Sequence, residues 1–151
     1  MKRRIGLAIA SAVLIGGVSA GLALATPPSG FVGVQFGRST FSHFRVNQAT
    51  EADIVVAENS VAPLGYSGWH SHPGKVVIGV QRGSITLYRS DPSCTATTYT
   101  EGQVFTEVPR FSYNAVNPST TIAAVVNATY FSVPVGASVR IDQPQPPQCP
   151  A

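Results

Sequence analysis

The sequence predicts an all-β fold, a single small sandwich or barrel, and three observations carry that prediction. After Pro28 no segment holds an apolar repeat at helical spacing. Short β-branched and aromatic runs recur instead, punctuated by Gly, Pro, Asn and Ser. About nine such runs fall within roughly 125 residues, the density of a closed or two-layered β domain.

The first element is set aside before the fold is read. Lys2, Arg3 and Arg4 precede an apolar or small-residue stretch over 5–25 that ends in Ala23-Leu24-Ala25. A basic start, an apolar middle and small residues before the break form a secretory signal over 1–25, with cleavage expected before Thr26. The alternative is an uncleaved helix anchoring the chain, since about 20 apolar residues can span a bilayer. With the leader gone, stable membrane association is not expected. Ten basic residues less the leader's three leave seven, matching the seven acidic ones. That neutral balance lacks the basic face a nucleic-acid partner requires.

Residues 26–151 then form one domain, with arms at 26–30 and 143–151. Strands are expected over 31–36, 53–57, 68–72, 76–80, 85–89, 103–108, 111–115, 121–126 and 128–133. Gln81-Arg82-Gly83-Ser84 reads as a tight hairpin turn, with Gly83 able to take positive φ. In Ile85-Thr86-Leu87-Tyr88 aliphatics alternate with Thr and Tyr, the pattern of a half-buried strand. The only cysteines are Cys94 and Cys149. In an exported chain an even pair is read as a disulfide, and a closed loop of about 56 residues gives about 4 kcal/mol by chain entropy. Two cysteines without a Cys-x-x-Cys pair argue against a thiolate metal site.

The chemistry concentrates in Gly68-Trp69-His70-Ser71-His72-Pro73-Gly74. Side chains two apart on a strand share a face, so His70 and His72 project together while Trp69 and Ser71 point the other way. Their Cα atoms stand about 7 Å apart, which lets both imidazoles converge on one divalent metal ion. Pro73 and Gly74 end the strand, as suits a site at a barrel mouth. Two histidines alone do not make a site, because zinc takes three or four ligands and iron oxygenases add a carboxylate. A His-x-His on an exposed strand without function is the competing reading.

Taken together, residues 63–88 and 102–118 resemble the two halves of the cupin motif. The first half in that family runs glycine, His-x-His, a glutamate and a closing glycine; Gly65, His70, His72 and Gly83 match, and the glutamate position falls on Val76. In the second half Gly102, Pro109 and Asn117 fit, and the histidine position falls on Tyr113. Similar secreted cupin-like proteins share the Gly-Trp-His-Ser-His-Pro-Gly stretch, a late cysteine pair and a proline-rich tail. The resemblance implies a jelly-roll, or double-stranded β-helix, barrel whose metal positions are half replaced. Tyr113 is then a candidate third ligand, against a packing role with a hydrogen bond. Glu107 is a candidate replacement carboxylate, against an exposed surface residue. Trp69 is read as packing, Arg110 as rim, and the Asn127-Ala128-Thr129 triplet carries no assigned role.

Three functions follow. First comes an exported module that binds a small molecule or a divalent metal inside the barrel. Second is a metal-dependent oxygenase or isomerase, for which an acid or base and another ligand are still needed. Third is a relic site on a protein that acts through its surface. A dimer through edge strands is compatible with all three.

Overall fold

The computed structural model describes residues 25–41 and 50–149. The expected leader therefore lies outside the described residues, save its last position, Ala25. Ten antiparallel strands follow one another, and among the described residues there is no helix. They are β1 (Ser29–Phe41), β2 (Ala52–Tyr66), β3 (His70–Ser71), β4 (Val76–Arg82) and β5 (Ser84–Arg89), then β6 (Ala96–Thr100), β7 (Val104–Glu107), β8 (Tyr113–Val116), β9 (Ala124–Val133) and β10 (Ile141–Asp142).

Pairing divides these strands into two runs, β1-β2-β9-β4-β7 and β10-β3-β8-β5-β6. The far end of β2 joins them, where Tyr66 pairs with Val116 of β8. The result is a nearly closed barrel, the all-β fold the sequence predicts. Alternation fills it from both runs. Val55, Ala57 and Val61 of β2 are buried and belong to the apolar cluster of the interior. So do Val76, Ile78 and Val80 of β4, Ile85 and Leu87 of β5, and Ala124, Val126, Ala128 and Tyr130 of β9. Each fully buried aliphatic contributes about 1.5–3 kcal/mol, so the core is ample without further staples.

Several expectations change in detail. The segment 81–84 is not a hairpin. Gly83 does take positive φ, 77°, but β4 pairs with β7 and β9 while β5 pairs with β6 and β8. Both edges of each strand are already occupied, so the bend carries the chain from one run to the other. The two runs expected over 121–126 and 128–133 are one strand, β9, because Asn127 continues the ladder opposite Glu58 and Gly79. Strands β6 and β10 were not expected. Asn117 is fully buried and ties three turns together. Its Nδ2 donates to the carbonyls of Val61, Ala62 and Ile122 at 3.0, 3.1 and 2.8 Å, and its Oδ1 accepts from Ser119 N–H at 3.0 Å.

The expected disulfide is present between Cys94 and Cys149. It holds the tail against the body. There Gln143 N–H donates to the Trp69 carbonyl at 3.0 Å and Gln143 Nε2 to Ser71 Oγ at 3.0 Å. On the tail's outer side Ala25 bridges Pro144, and Thr26 N–H donates to the Gln143 carbonyl at 3.2 Å.

Candidate metal centre

The strand expected over 68–72 shortens to His70–Ser71, and His72 lies just beyond it. Gly74 explains the early end. A Cβ there would sit 1.9 Å from the Phe131 carbonyl oxygen, so only glycine lets the chain after Pro73 run against β9. Both imidazoles are nonetheless buried, at 6% and 7% exposure, with ring centroids 4.8 Å apart. The two rings line one cavity, as their two-residue spacing requires.

Glu107 completes the group. It is 4% exposed, at the inner end of β7, and its Oε2 lies 2.7 Å from His72 Nε2 and 3.9 Å from His70 Nε2. One donor atom from each of the three residues falls within 4.8 Å of the others. Glu107 stands opposite Val76 in the β4–β7 ladder, and Val76 stands opposite Tyr130 in the β4–β9 ladder. All three line the same cavity as the histidines.

The hydrogen bonds behind the rings set which nitrogen faces inward. His70 Nδ1 lies 2.8 Å from the Gly68 carbonyl and His72 Nδ1 lies 2.6 Å from the Val139 carbonyl. A carbonyl only accepts, so each Nδ1 carries a proton and each Nε2 turns toward Glu107. This is the outer-shell arrangement of metal-ligating histidines. Two imidazole nitrogens and a carboxylate turned to one point call for a proton or a metal ion between them. Ligands of one metal ion at about 2.0–2.2 Å stand roughly 3 Å apart, which the 2.7 and 3.9 Å separations bracket. The donor set fits a divalent ion with little movement.

Burial lowers His70 to about 4, reinforced by the charges of His72 and Arg140 and opposed by that of Glu107. Burial alone would raise the Glu107 carboxyl. The hydrogen bond with His72 and nearby positive charge, that of Arg140 included, outweigh it and hold the group below its ordinary value. His70 is thus an unprotonated donor and Glu107 an ionised one at neutral pH. The remaining cavity is about 40 Å³, room for a water or two. Phe31, Val61, Ile78, Ile85 and Phe105 line it, with Asn59 and Tyr130 as its polar members beyond the triad and Ser67. Asn59 Nδ2 lies 3.4 Å from the Tyr130 hydroxyl.

Tyr113, the third-ligand candidate, is not brought to this cavity. Although it pairs with His70 in the β3–β8 ladder, its hydroxyl accepts the Val108 N–H at 3.0 Å. Its ring lines a separate depression with Leu87, Arg89 and Thr95. Trp69 is buried outside the interior cluster, as its place between the histidines requires. Arg110 is exposed against the Phe111 ring. Two contributors escaped the sequence reading. Asn59 was legible as the polar member of the inward series Val55, Ala57, Asn59, Val61. Arg140 carried no signal, since the tail's path places it.

No family model and no curated protein matches the chain. Solved structures do. An uncharacterized conserved protein with a double-stranded β-helix domain from Klebsiella pneumoniae is 14% identical, with 79% of this chain and 86% of that one covered and a TM-score of 0.56. Peruvianin-I, described as a cysteine peptidase from Thevetia peruviana latex, is 16% identical over 66% of this chain and 60% of that one, with a TM-score of 0.50. This chain thus spans about three-fifths of its length, and both cysteines here are paired with each other. A cupin domain from Bordetella pertussis is 21% identical over 70% of this chain and 95% of that one, with a TM-score of 0.48. The fold is a double-stranded β-helix.

Proposed function

We propose that this is an exported binding domain that holds one divalent metal ion through His70, His72 and Glu107. The observation that carries the reading is the pair of Nδ1–carbonyl bonds, which turn both Nε2 atoms toward a buried carboxylate. Two imidazoles and a carboxylate suit zinc, iron or manganese, and a bound ion of this kind acts as a Lewis acid toward a ligand in its open positions. The leader-like N-terminus and the Cys94–Cys149 bond support export into an oxidising compartment. A metal-dependent enzyme is the second reading, favoured by the two-histidine, one-carboxylate set. The small cavity favours binding over turnover of a bulky organic substrate.

Metal content decides between them and the relic reading. The chain from Thr26, exported without a His tag, is compared with His70→Ala/His72→Ala and with Glu107→Gln. Near-stoichiometric metal that is lost in the variants supports the proposal. No metal in any form after incubation with iron, manganese, zinc or copper overturns it.

A further inference from the structure

A second depression lies away from the metal centre, where β6 and β7, the end strands of the two runs, do not pair with each other. It measures about 60 Å³, against about 40 Å³ for the metal cavity. Thr97 and Tyr99 reach it from β6, Thr106 from β7, Arg89 from β5 and Tyr113 from β8. None of His70, His72 and Glu107 lines it.

Two donors in it are fixed in place. Arg89 donates from Nε and Nη2 to Asp91 Oδ2 at 2.8 and 2.6 Å, and it lies 5.1 Å from the centre of the Phe111 ring. The other oxygen of Asp91 accepts the N–H groups of Ser93 and Thr95 at 3.2 and 2.9 Å. The guanidinium therefore keeps one orientation and spends only one edge. Tyr113 is 3% exposed, and its hydroxyl accepts the Val108 N–H at 3.0 Å. That hydroxyl still carries its own proton, and among the described residues nothing accepts it. A buried donor without an acceptor is costly.

Three further hydroxyls both give and take. Those of Thr97, Tyr99 and Thr106 make no hydrogen bond to the protein among the described residues. On β6, Thr97 and Tyr99 stand opposite Leu87 and Ile85, so they share the inward face of those buried aliphatics. The Tyr99 ring stacks on Phe105 with centroids 4.5 Å apart, which sets where its hydroxyl stands. Charge narrows the class of ligand. Arg89 is the only charged residue lining the depression, and Asp91 balances it. A full anion therefore finds no uncompensated cation there. What the depression offers is fixed donors and hydroxyls around apolar Leu87, the complement of a ring that carries several oxygens.

We propose that the depression between β6 and β7 binds one neutral sugar ring, with Arg89 and Tyr113 donating to its oxygens and Thr97, Tyr99 and Thr106 exchanging hydrogen bonds with its hydroxyls. The proposal is independent of the metal reading.

The test titrates glucose, galactose and N-acetylglucosamine into the exported chain from Thr26 and reads its backbone amide shifts by NMR. Each is used as the free sugar and as its methyl glycoside, and binding of the glycoside alone assigns the site to the end of a glycan. Thr97→Val/Thr106→Val and Tyr113→Phe are titrated beside the wild type. Expected with at least one sugar are saturable shifts around Thr97, Tyr99 and Thr106, with affinity roughly tenfold weaker in Thr97→Val/Thr106→Val and weaker also in Tyr113→Phe. No saturable shift with any of them up to roughly 50 mM overturns the proposal, as does equal affinity in Thr97→Val/Thr106→Val. Binding of sodium sulfate in place of every sugar overturns it too, since that makes the depression an anion site. If Tyr113→Phe fails to fold, Thr97→Val/Thr106→Val decides alone, because both are exposed strand positions that accept valine.

Discussion

Val76 and Glu107 face each other across the β4–β7 ladder, two rungs beyond the apolar pair Ile78 and Phe105. Val76 occupies the position at which the cupin motif has its glutamate, and Glu107 brings a carboxylate to the same rung from the opposite strand. Directly paired residues share a face with Cβ atoms about 5 Å apart, so either strand can deliver the group to one cavity.

This relationship predicts an exchange. Glu107→Val should lose metal. Val76→Glu/Glu107→Val, which returns the carboxylate to β4, should recover part of it. Metal content after dialysis is the measurement, and a double variant as empty as the single one would mean that the rung does not determine the site.

The His70 shift predicts a pH dependence of the metal-free protein. Its folded value of about 4 lies below the ordinary 6.5, so the unfolded chain binds more protons between the two. Stability from this residue is therefore intact above about 6.5 and falls as pH drops toward 4, by up to about 3 kcal/mol. Denaturant midpoints across that window should fall less steeply in His70→Gln.

Asn117→Ala should cost about 2–4 kcal/mol in urea unfolding, since it leaves buried carbonyls of Val61, Ala62 and Ile122 without their donor. Asn117→Asp should cost more, because a carboxylate there faces carbonyl oxygens.

Cys94→Ser/Cys149→Ser should lower stability by about 2–5 kcal/mol. It should also weaken metal binding, because the freed tail carries the Val139 carbonyl that orients His72. Unchanged metal affinity in the reduced form would separate the tail from the site.

Much of this arrangement was legible in the residues. A β-branched run marked β4, alternating aliphatics marked β5, and the two-residue spacing of His70 and His72 set them on one face. Glu107 had a readable signal too. In Val104-Phe105-Thr106-Glu107 an inward Phe105 requires an inward Glu107, and both are buried while their neighbours are exposed. What stayed hidden had little apolar pattern. Strand β6 is a mostly exposed Ala-Thr-Thr-Tyr-Thr run held by pairing with β5, and β10 is two exposed residues held by the tail. The turn at Gly83 was recognised by its glycine but misassigned, because a bend between sheets and a hairpin place the same demand on φ. Tyr113 fell on a motif position whose backbone pairs with His70, yet its hydroxyl is taken by Val108.

The bridge between Ala25 and Pro144 brings the two ends of the domain side by side. Topologically the barrel is a ring with one open joint, and that joint need not lie where it does. A circular permutant that links the tail to Thr26 and reopens at the exposed Glu101-Gly102 turn between β6 and β7 keeps every ladder, both histidines and Glu107 in place. In that permutant Thr26 follows the tail directly, and the chain begins at the exposed turn between β6 and β7 instead.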